Sequence, residues 1–303
     1  MPIKIDCDDN TSIELGDLVE FLFENNIQPM DQDSLASASP ALKKLSNNRK
    51  FLAEMICSEL KDYRNLQAAN SYSAQVFMMY PPQRNGQPFF LRACLWPAID
   101  DQMVKSSGTE PFFYHQPHDH NFNFLTVGYQ GPGYESDYYE YDYEDCDGVN
   151  GEKVALRYIE RSSLSRGKIL LYRAFTDIHN QLPPTSFSVS LNIMENSIRA
   201  SVMDQYAFDL NSGRISALIN RTSAGSVFGA AAALGNDEHK DILRFIAAKH
   251  EIERIRLAAF EALANAACGR EEALDVWSAV RDSDSAFLRG WRQVRTAEIE
   301  NFV

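Results

Sequence analysis

The sequence predicts an α+β protein in which an antiparallel β-barrel lies between N-terminal helices and a C-terminal helical bundle. Apolar residues recur at helical spacing before Leu66 and again after Asn220, whereas the stretch between them alternates at a period of two. The 303 residues, 45% of them hydrophobic, suffice for one well-filled core and a second element. We therefore expect helices in 1–72, the barrel in 73–219 and helices in 220–303.

The N-terminal segment has apolar residues three and four positions apart between Thr11 and Leu66. Leu15, Leu18 and Leu22 are examples of this spacing, which is that of one helix face. Residues 28–40 are rich in Ser and Asp and predict a connector. Two or three helices are expected before the first strand.

The middle segment is rich in β-branched and aromatic residues and is interrupted by turn sequences such as Asn85-Gly86 and 131–133. Many short strands of this kind are typical of an antiparallel sandwich or barrel. The expected strands are 74–80, 88–96, 122–129, 134–143, 154–162, 168–174, 186–194, 201–210 and 214–219.

The C-terminal segment predicts helices over 237–250, 251–267 and 271–280, with Gly269 placed to end the second one. Residues 252–264 resemble the second part of a HEAT-type helical repeat, and a plain helical bundle is the alternative.

Charge and composition exclude several classes of partner. The net charge is -13, and no cluster of Lys and Arg stands against it, so we expect repulsion from phosphate backbones and no nucleic-acid partner. No apolar run reaches the roughly 18 residues of a membrane span, and the N-terminus does not resemble a signal peptide. A cytoplasmic protein without membrane contact is expected.

The five cysteines are scattered and odd in number, which favours reduced thiols over a disulfide framework. Cys57 and Cys94 lie in apolar surroundings, so we expect both of them to be buried as small hydrophobic residues.

The histidines indicate a site. Four of the six lie between positions 115 and 179. His118 and His120 are separated by one residue, and on a strand such residues project from the same face. A third ligand is available from His179, which follows Gly167 and an apolar strand. We expect these three imidazoles to hold one divalent transition metal.

Residues 85–195 resemble the cupin superfamily, whose first motif contains a His-x-His pair and whose second contains a glycine, a strand and one histidine. The resemblance implies a jelly-roll barrel. Four positions depart from the family pattern: Asn121 or Asn123 stands where a glutamate is usual, Arg173 and Phe175 replace a proline and a glycine, and Pro183 replaces a later asparagine.

A cupin site with three histidines and no carboxylate resembles that of the thiol dioxygenases, which implies Fe(II) as cofactor and dioxygen as co-substrate. Zn, Ni or Mn remain alternatives, because imidazole ligation does not select one of these metals. The position of a cysteine that often crosslinks to tyrosine in those enzymes holds Leu125, so neither the crosslink nor a thiol substrate is inferred.

Six further residues are candidates for the site. Glu140 is a possible fourth metal ligand, or alternatively part of a solvated acidic edge. Arg173 is a candidate for binding a substrate carboxylate, while Tyr172 and His115 are candidates for facing the substrate. Asp177 and Asn180 flank His179 and are candidates for orienting its ring.

Two functions from different classes follow. The first is a mononuclear non-haem Fe(II) oxygenase or dioxygenase acting on a small polar molecule such as an amino acid or a derivative. The second is a non-catalytic metal- or ligand-binding cupin whose helical segment recruits a protein partner. A zinc- or nickel-dependent isomerase or hydrolase is a third hypothesis. A homodimer is compatible with all three hypotheses.

Overall fold

A computed structural model describes residues 1–68, 70, 72–73, 75–82, 86–220 and 223–301. The chain divides into two compact units, Met1–Asp142 with Ala155–Met203 and Tyr143–Val154 with Asp204–Val303. The first unit contains the N-terminal helices together with most of the strands. The expected boundaries near residues 72 and 219 stay predictions. Ala74, where the first expected strand begins, and Asn85 of the expected turn lie outside the described residues.

Helices occur near both ends of the chain, as the sequence predicts. The α-helices are α1 (Leu15–Glu24), α2 (Gln32–Ala36), α3 (Ser39–Asn47), α4 (Phe51–Lys61), α5 (Gln102–Ser107), α6 (Arg199–Val202), α7 (Ser223–Leu234), α8 (Asp237–Lys249), α9 (Glu253–Asn265), α10 (Arg270–Ser278) and α11 (Ala286–Asn301).

The strands occupy the middle of the chain, with one addition at the N-terminus. They are β1 (Ile3–Ile5), β2 (Val76–Tyr80), β3 (Phe89–Trp96), β4 (Phe124–Gln130), β5 (Glu135–Glu140), β6 (Arg157–Ser163), β7 (Ile169–Tyr172), β8 (Asp177–Leu182), β9 (Ser188–Glu195), β10 (Tyr206–Asp209) and β11 (Arg214–Leu218).

The strands of the first unit form two antiparallel sheets, so the expected closed barrel is wrong. One sheet has the order β1-β7-β4-β9-β3-β2, and the other has the order β6-β5-β8. Strand β7 pairs with β4 on one side and with β1 on the other. It therefore has no free edge for β8, which pairs with β5 instead. The jelly-roll topology stays a prediction.

The six-stranded sheet is buried on both faces, which explains the long apolar runs in its strands. Along β3, the side chains of Phe89, Leu91 and Ala93 join a core with the N-terminal helices. The alternating side chains of Phe90 and Cys94 join a second core, which also receives residues of the three-stranded sheet. The metal candidates lie beside this second core.

Two strands and one cysteine differ from expectation. Strand β1 is too short to leave a periodic signal, and β8 carries His179 within a polar sequence, Asp177–Leu182. Cys94 is buried as predicted, but Cys57 is exposed. Helix α4 buries Phe51 and Leu52, and at about 100° per residue Cys57 lies on another side of that helix.

The second unit contains the β10-β11 hairpin and helices α7 to α11. Its core is apolar and includes Trp277, Leu288 and Trp291. The likeness of α9 to a HEAT-type repeat stays a prediction. No helix in the described part of the chain is long and apolar enough to cross a membrane.

Replacing Leu125 tests the core between the helices and the large sheet. Its side chain is 0% exposed, so Leu125→Ala should lower the free energy of unfolding by about 2 to 5 kcal/mol. The control is Ile198, which lies in the same unit and is 79% exposed. Ile198→Ala should change the free energy of unfolding by less than about 0.5 kcal/mol. Urea unfolding measures both. Equal effects of the two substitutions would contradict this packing.

Candidate metal centre

Three imidazoles converge in the first unit. The ligand nitrogens of His118, His120 and His179 all lie within 4.8 Å of one another, and no other such group occurs among the residues that the structure describes. The Nε2 atoms of His118 and His179 are 3.2 Å apart. The three side chains are buried, with exposures of 5%, 8% and 2%. The structure thus brings together the three residues that the sequence singled out.

Backbone pairing positions the histidines. His118 and His179 face one another in an antiparallel bridge, in which each amide donates to the other's carbonyl at 3.1 and 3.0 Å. The carbonyl of His120 accepts a hydrogen bond from the amide of Phe175 at 2.8 Å. His118 and His120 therefore lie in irregular backbone ahead of β4, not on a regular strand as expected. Their imidazoles still converge, because both ends of this short segment are bound to the β7–β8 region.

Hydrogen bonding leaves ring nitrogens free to act as ligands. The Nδ1 atom of His118 lies 2.7 Å from the carbonyl oxygen of Gln116, which can only accept, so Nδ1 carries the proton and Nε2 keeps its lone pair. The Nδ1 atom of His179 is buried and has no hydrogen-bond partner among the described residues.

The donor set fits a transition metal. Two imidazole nitrogens that each bind one ion at about 2.1 Å lie roughly 3 Å apart, which matches the separation of the His118 and His179 nitrogens. Without an ion, these two nitrogens can form a hydrogen bond to each other only when one of them carries a proton. A single metal ion would accept the lone pairs of both nitrogens at once.

Burial keeps the three imidazoles neutral. It lowers the pKa of His118 to about 4, against the opposing hydrogen bond to the Gln116 carbonyl. Burial also lowers the pKa of His120 and of His179 well below the usual range, and the neighbouring imidazoles add to both shifts. Metal binding requires neutral imidazole, so these residues need not lose a proton near pH 7.

Aromatic rings enclose the histidines. Phe122 stacks on His120 with ring centroids 5.1 Å apart, and Phe124 lies 4.9 Å from the same ring. Phe113 lies 5.1 Å from His118. Tyr172 lies 5.0 Å from His179 and stacks on Phe124 at 4.3 Å. These rings limit the access of water to the imidazoles.

Tyr172, a candidate from the sequence, is joined by two tyrosines that the sequence analysis missed. Its hydroxyl lies 3.1 Å from that of Tyr138 and 3.5 Å from that of Tyr134. Burial raises the pKa of Tyr138 to about 12 and raises that of Tyr172 well above its usual range. All three phenols therefore keep their protons near neutral pH. Two adjacent tyrosines, Tyr138 and Tyr139, occur in β5, and the sequence alone did not show which of them faces inward.

Glu140 and Arg173 are engaged with each other. Arg173 Nη2 lies 2.7 Å from Glu140 Oε1 and 2.7 Å from Asp177 Oδ1. Glu140 also pairs with Arg157 and with the ammonium group of Met1. Glu140 is therefore not part of the three-histidine group, and the Arg173 guanidinium is occupied by two carboxylates rather than open to a substrate.

The remaining candidates lie away from the imidazole nitrogens or serve the backbone. His115 is exposed, although its amide donates to the Gln181 carbonyl at 2.9 Å. Asp177 accepts hydrogen bonds from the amide and guanidinium of Arg173, and Asn180 pairs with Asp137 between β8 and β5. Within the described chain, neither side chain is hydrogen-bonded to the buried Nδ1 of His179.

The asparagines at the position of the usual glutamate have structural roles. Asn123 Oδ1 accepts a hydrogen bond from the Ala174 amide at 2.7 Å, and its Nδ2 donates to Pro29 and Met30 carbonyls. Asn121 Nδ2 donates to the carbonyls of Ala200 and Met203. These amides hold the backbone around the site.

One carboxylate between the histidines was not anticipated. Asp119 is fully buried and accepts a hydrogen bond from the Tyr141 hydroxyl at 2.5 Å. Its position between two ligand candidates on an extended segment turns its side chain to the other side of the backbone. The sequence places Asp119 between the two histidines, but it does not predict the hydrogen bond from Tyr141.

Comparisons with known proteins assign no family. No family model and no curated protein matches the chain. Solved structures show weak likeness, and three of them are named here. Hydroquinone 1,2-dioxygenase from Sphingomonas sp. TTNP3 with 4-hydroxybenzoate bound is 8% identical, and the match covers 46% of this chain and 78% of that chain with a TM-score of 0.26. A vicilin from Corylus avellana, hazelnut, is 11% identical, with 46% of this chain and 34% of that chain covered and a TM-score of 0.22. A prolyl 4-hydroxylase structure from Phytophthora capsici is 12% identical, with 94% of this chain and 83% of that chain covered and a TM-score of 0.24. These scores are too low to assign a fold or a function.

The buried histidines predict a pH dependence of stability in metal-free protein. Their pKa values are lower in the folded chain than the usual 6.5, so the unfolded chain takes up protons first as the pH falls. Stability is therefore present at pH 7 and is lost from about pH 6.5 towards pH 4. His118→Gln should reduce this slope by up to about 1.4 kcal/mol per pH unit.

Urea unfolding with a chelator at pH 7, 6, 5 and 4 measures the slope. The control is His115→Gln, the same substitution at an exposed histidine. A wild-type slope that His118→Gln leaves unchanged would show that this imidazole is not held neutral.

Proposed function

We propose that this protein is a mononuclear metal-dependent oxygenase that holds ferrous iron through His118, His120 and His179. The observation that carries the proposal is the buried group of three neutral imidazoles whose nitrogens lie within 4.8 Å of one another. A small polar organic molecule is the proposed substrate, with dioxygen as co-substrate. The resemblance of the two histidine motifs to three-histidine cupins supports the same reaction class.

The proposal of iron rests on the resemblance to three-histidine oxygenases and is supported by the surroundings of the imidazoles. Imidazole also suits zinc, nickel and copper, so the ligands alone do not choose the metal. A hydrolytic metal site can use metal-bound water as its nucleophile, and a side-chain base commonly takes up the proton of that water. The carboxylates of this region are engaged: Asp119 by Tyr141, and both Asp177 and Glu140 by Arg173. Chemistry that needs no side-chain base is therefore favoured.

Ferrous iron, when bound, would supply the site at which dioxygen and an organic substrate are activated together. The chain supplies the environment. Phe122 and Phe124 lie against His120 and keep water away from it. Tyr172 and Tyr138 hold their protons on the phenol oxygens, so Tyr172 is a hydrogen-bond donor beside the histidines. Arg173 keeps the β7–β8 connection in place through Asp177.

A second candidate function, partner binding by the helical segment, is favoured by exposed apolar residues. On α7, Val227 and Leu234 are 63% and 88% exposed, and on α8, Ile242 and Phe245 are 57% and 68% exposed. Several large apolar side chains exposed on consecutive helices are typical of an interaction surface. We propose that this surface binds a protein partner, whether or not the metal site is catalytic.

Metal analysis followed by oxygen uptake tests the oxygenase. Anaerobically purified protein should contain close to one iron per chain, and His118→Ala or His179→Ala should lose nearly all of it. Glu140→Gln and His115→Ala are the controls and should keep it. Loaded wild type should then consume oxygen with a member of an amino-acid panel. Metal that persists in both histidine variants would rule out the site, and bound iron without oxygen uptake would rule out the activity.

Introducing negative charge tests the helical surface. The double variant Leu234→Glu, Phe245→Glu should no longer co-purify the protein that wild type binds in the native host. Its metal content should stay unchanged, because both side chains are exposed. Ile198→Glu, which changes an exposed residue of the other unit, should have no effect. Unimpaired co-purification with the double variant would exclude this surface.

A further inference from the structure

A row of polar side chains crosses the inner face of the large sheet. Arg92 on β3 pairs with Asn192 on β9, and Asn192 pairs with Thr126 on β4, so the three residues lie at one level on adjacent strands. Arg92 lies between Phe90 and Cys94, whose side chains belong to the inner core, and residues two apart on a strand share a face. A guanidinium, an amide and a hydroxyl thus interrupt an aromatic and apolar interior.

Arg92 lacks the acidic partner that other buried arginines have. Arg173 and Arg254 each pair with a carboxylate within 2.7 Å. Among the residues that the structure describes, Arg92 has no ion pair, and its Nε atom is buried without a hydrogen-bond partner. Its guanidinium carbon lies 5.1 Å from the centroid of the Tyr72 ring. A partly buried cation without an anion is unfavourable, which suggests that an anion binds there.

The other two side chains have unused hydrogen-bonding capacity. Thr126 is 0% exposed, and its hydroxyl oxygen has no hydrogen-bond partner within the described chain. Asn192 is 3% exposed, and its Nδ2 donates only to weak acceptors, the Cys94 sulfur at 3.3 Å and the Arg92 carbonyl at a long 3.4 Å. Valine would fill the space of Thr126 without burying a hydroxyl, so packing alone does not explain threonine here.

The polar row lies next to the histidines. Phe124, whose ring is 4.9 Å from that of His120, is two residues from Thr126 along β4. Two residues along a strand span about 6.6 Å. Thr126 is therefore two strand positions from a residue whose ring contacts His120.

We infer that Arg92, Asn192 and Thr126 form the substrate subsite, and that the substrate is a small organic carboxylate. The carboxylate binds the Arg92 guanidinium, Thr126 and Asn192 bind a second polar atom, and the reacting end lies at the histidines. This inference deepens the proposed oxygenase function and rests on it. It also replaces Arg173 with Arg92 as the anchor of the carboxylate.

Ligand-observed NMR titration tests the subsite in metal-free and in iron-loaded protein. The probes are butyrate and benzoate, each beside its neutral amide, butyramide and benzamide. Wild type should bind at least one carboxylate roughly 10-fold more tightly than its amide, because the guanidinium forms charge-assisted hydrogen bonds with the carboxylate only. Arg92→Gln should abolish this preference, and Arg92→Lys should keep part of it. Arg166→Gln, which changes an exposed arginine of the same unit, should keep all of it.

Thermal unfolding distinguishes a binding role from a structural one. Thr126→Val should weaken carboxylate binding while the midpoint of unfolding stays the same or rises, because a buried hydroxyl without a partner is removed. A lower midpoint with unchanged binding would mean that the row is structural. Equal binding of acid and amide, no binding of either acid, or a preference retained in Arg92→Gln would overturn the inference. If the protein selects carboxylates over amides but cannot be loaded with iron, the result would count against the oxygenase proposal and not against the carboxylate subsite.

Discussion

The antiparallel bridge between His118 and His179 is the contact on which the candidate site depends. Its two backbone hydrogen bonds, 3.1 and 3.0 Å long, attach the segment ahead of β4 to β8. One of these elements leads into the large sheet, and the other belongs to the small sheet. The pairing sets the imidazole nitrogens 3.2 Å apart. A slip of one residue in β8 would turn His179 away and bring Asn180 to its place, so the register of one short strand determines whether three ligands meet.

Most other polar residues near the site stabilise this register rather than take part in chemistry. Arg173 binds Asp177 at the start of β8, and Asn123 binds the Ala174 amide at the end of β7. The Asp177 carboxylate, two residues before His179, is thereby paired with a guanidinium. Burial is the largest influence on all three imidazoles and outweighs the Gln116 hydrogen bond to His118, which is why their pKa values fall. Arg92, by contrast, has no acidic partner within the described chain, and its Nε atom is buried without a hydrogen bond.

The sequence was sufficient to predict the three histidines and the general order of helices and strands, because residue spacing and local periodicity carry both. It was not sufficient to exclude closure of the barrel, since that depends on β1, three residues whose pairing with β7 is a long-range event. The ion pair between Glu140 and Arg173 could not be predicted either, because such a long-range contact is invisible in one sequence. Arg92 was overlooked, because the inward direction of a strand residue follows from register, which local pattern does not give.

The central claim is that one metal ion binds the three imidazoles in the first unit. Anomalous diffraction at the iron edge from crystals of iron-loaded protein tests it most directly. The account predicts a single peak about 2.1 to 2.2 Å from one ring nitrogen each of His118, His120 and His179. A peak beside Glu140 and Asp177, or iron-loaded crystals with no ordered peak near the histidines, would contradict it.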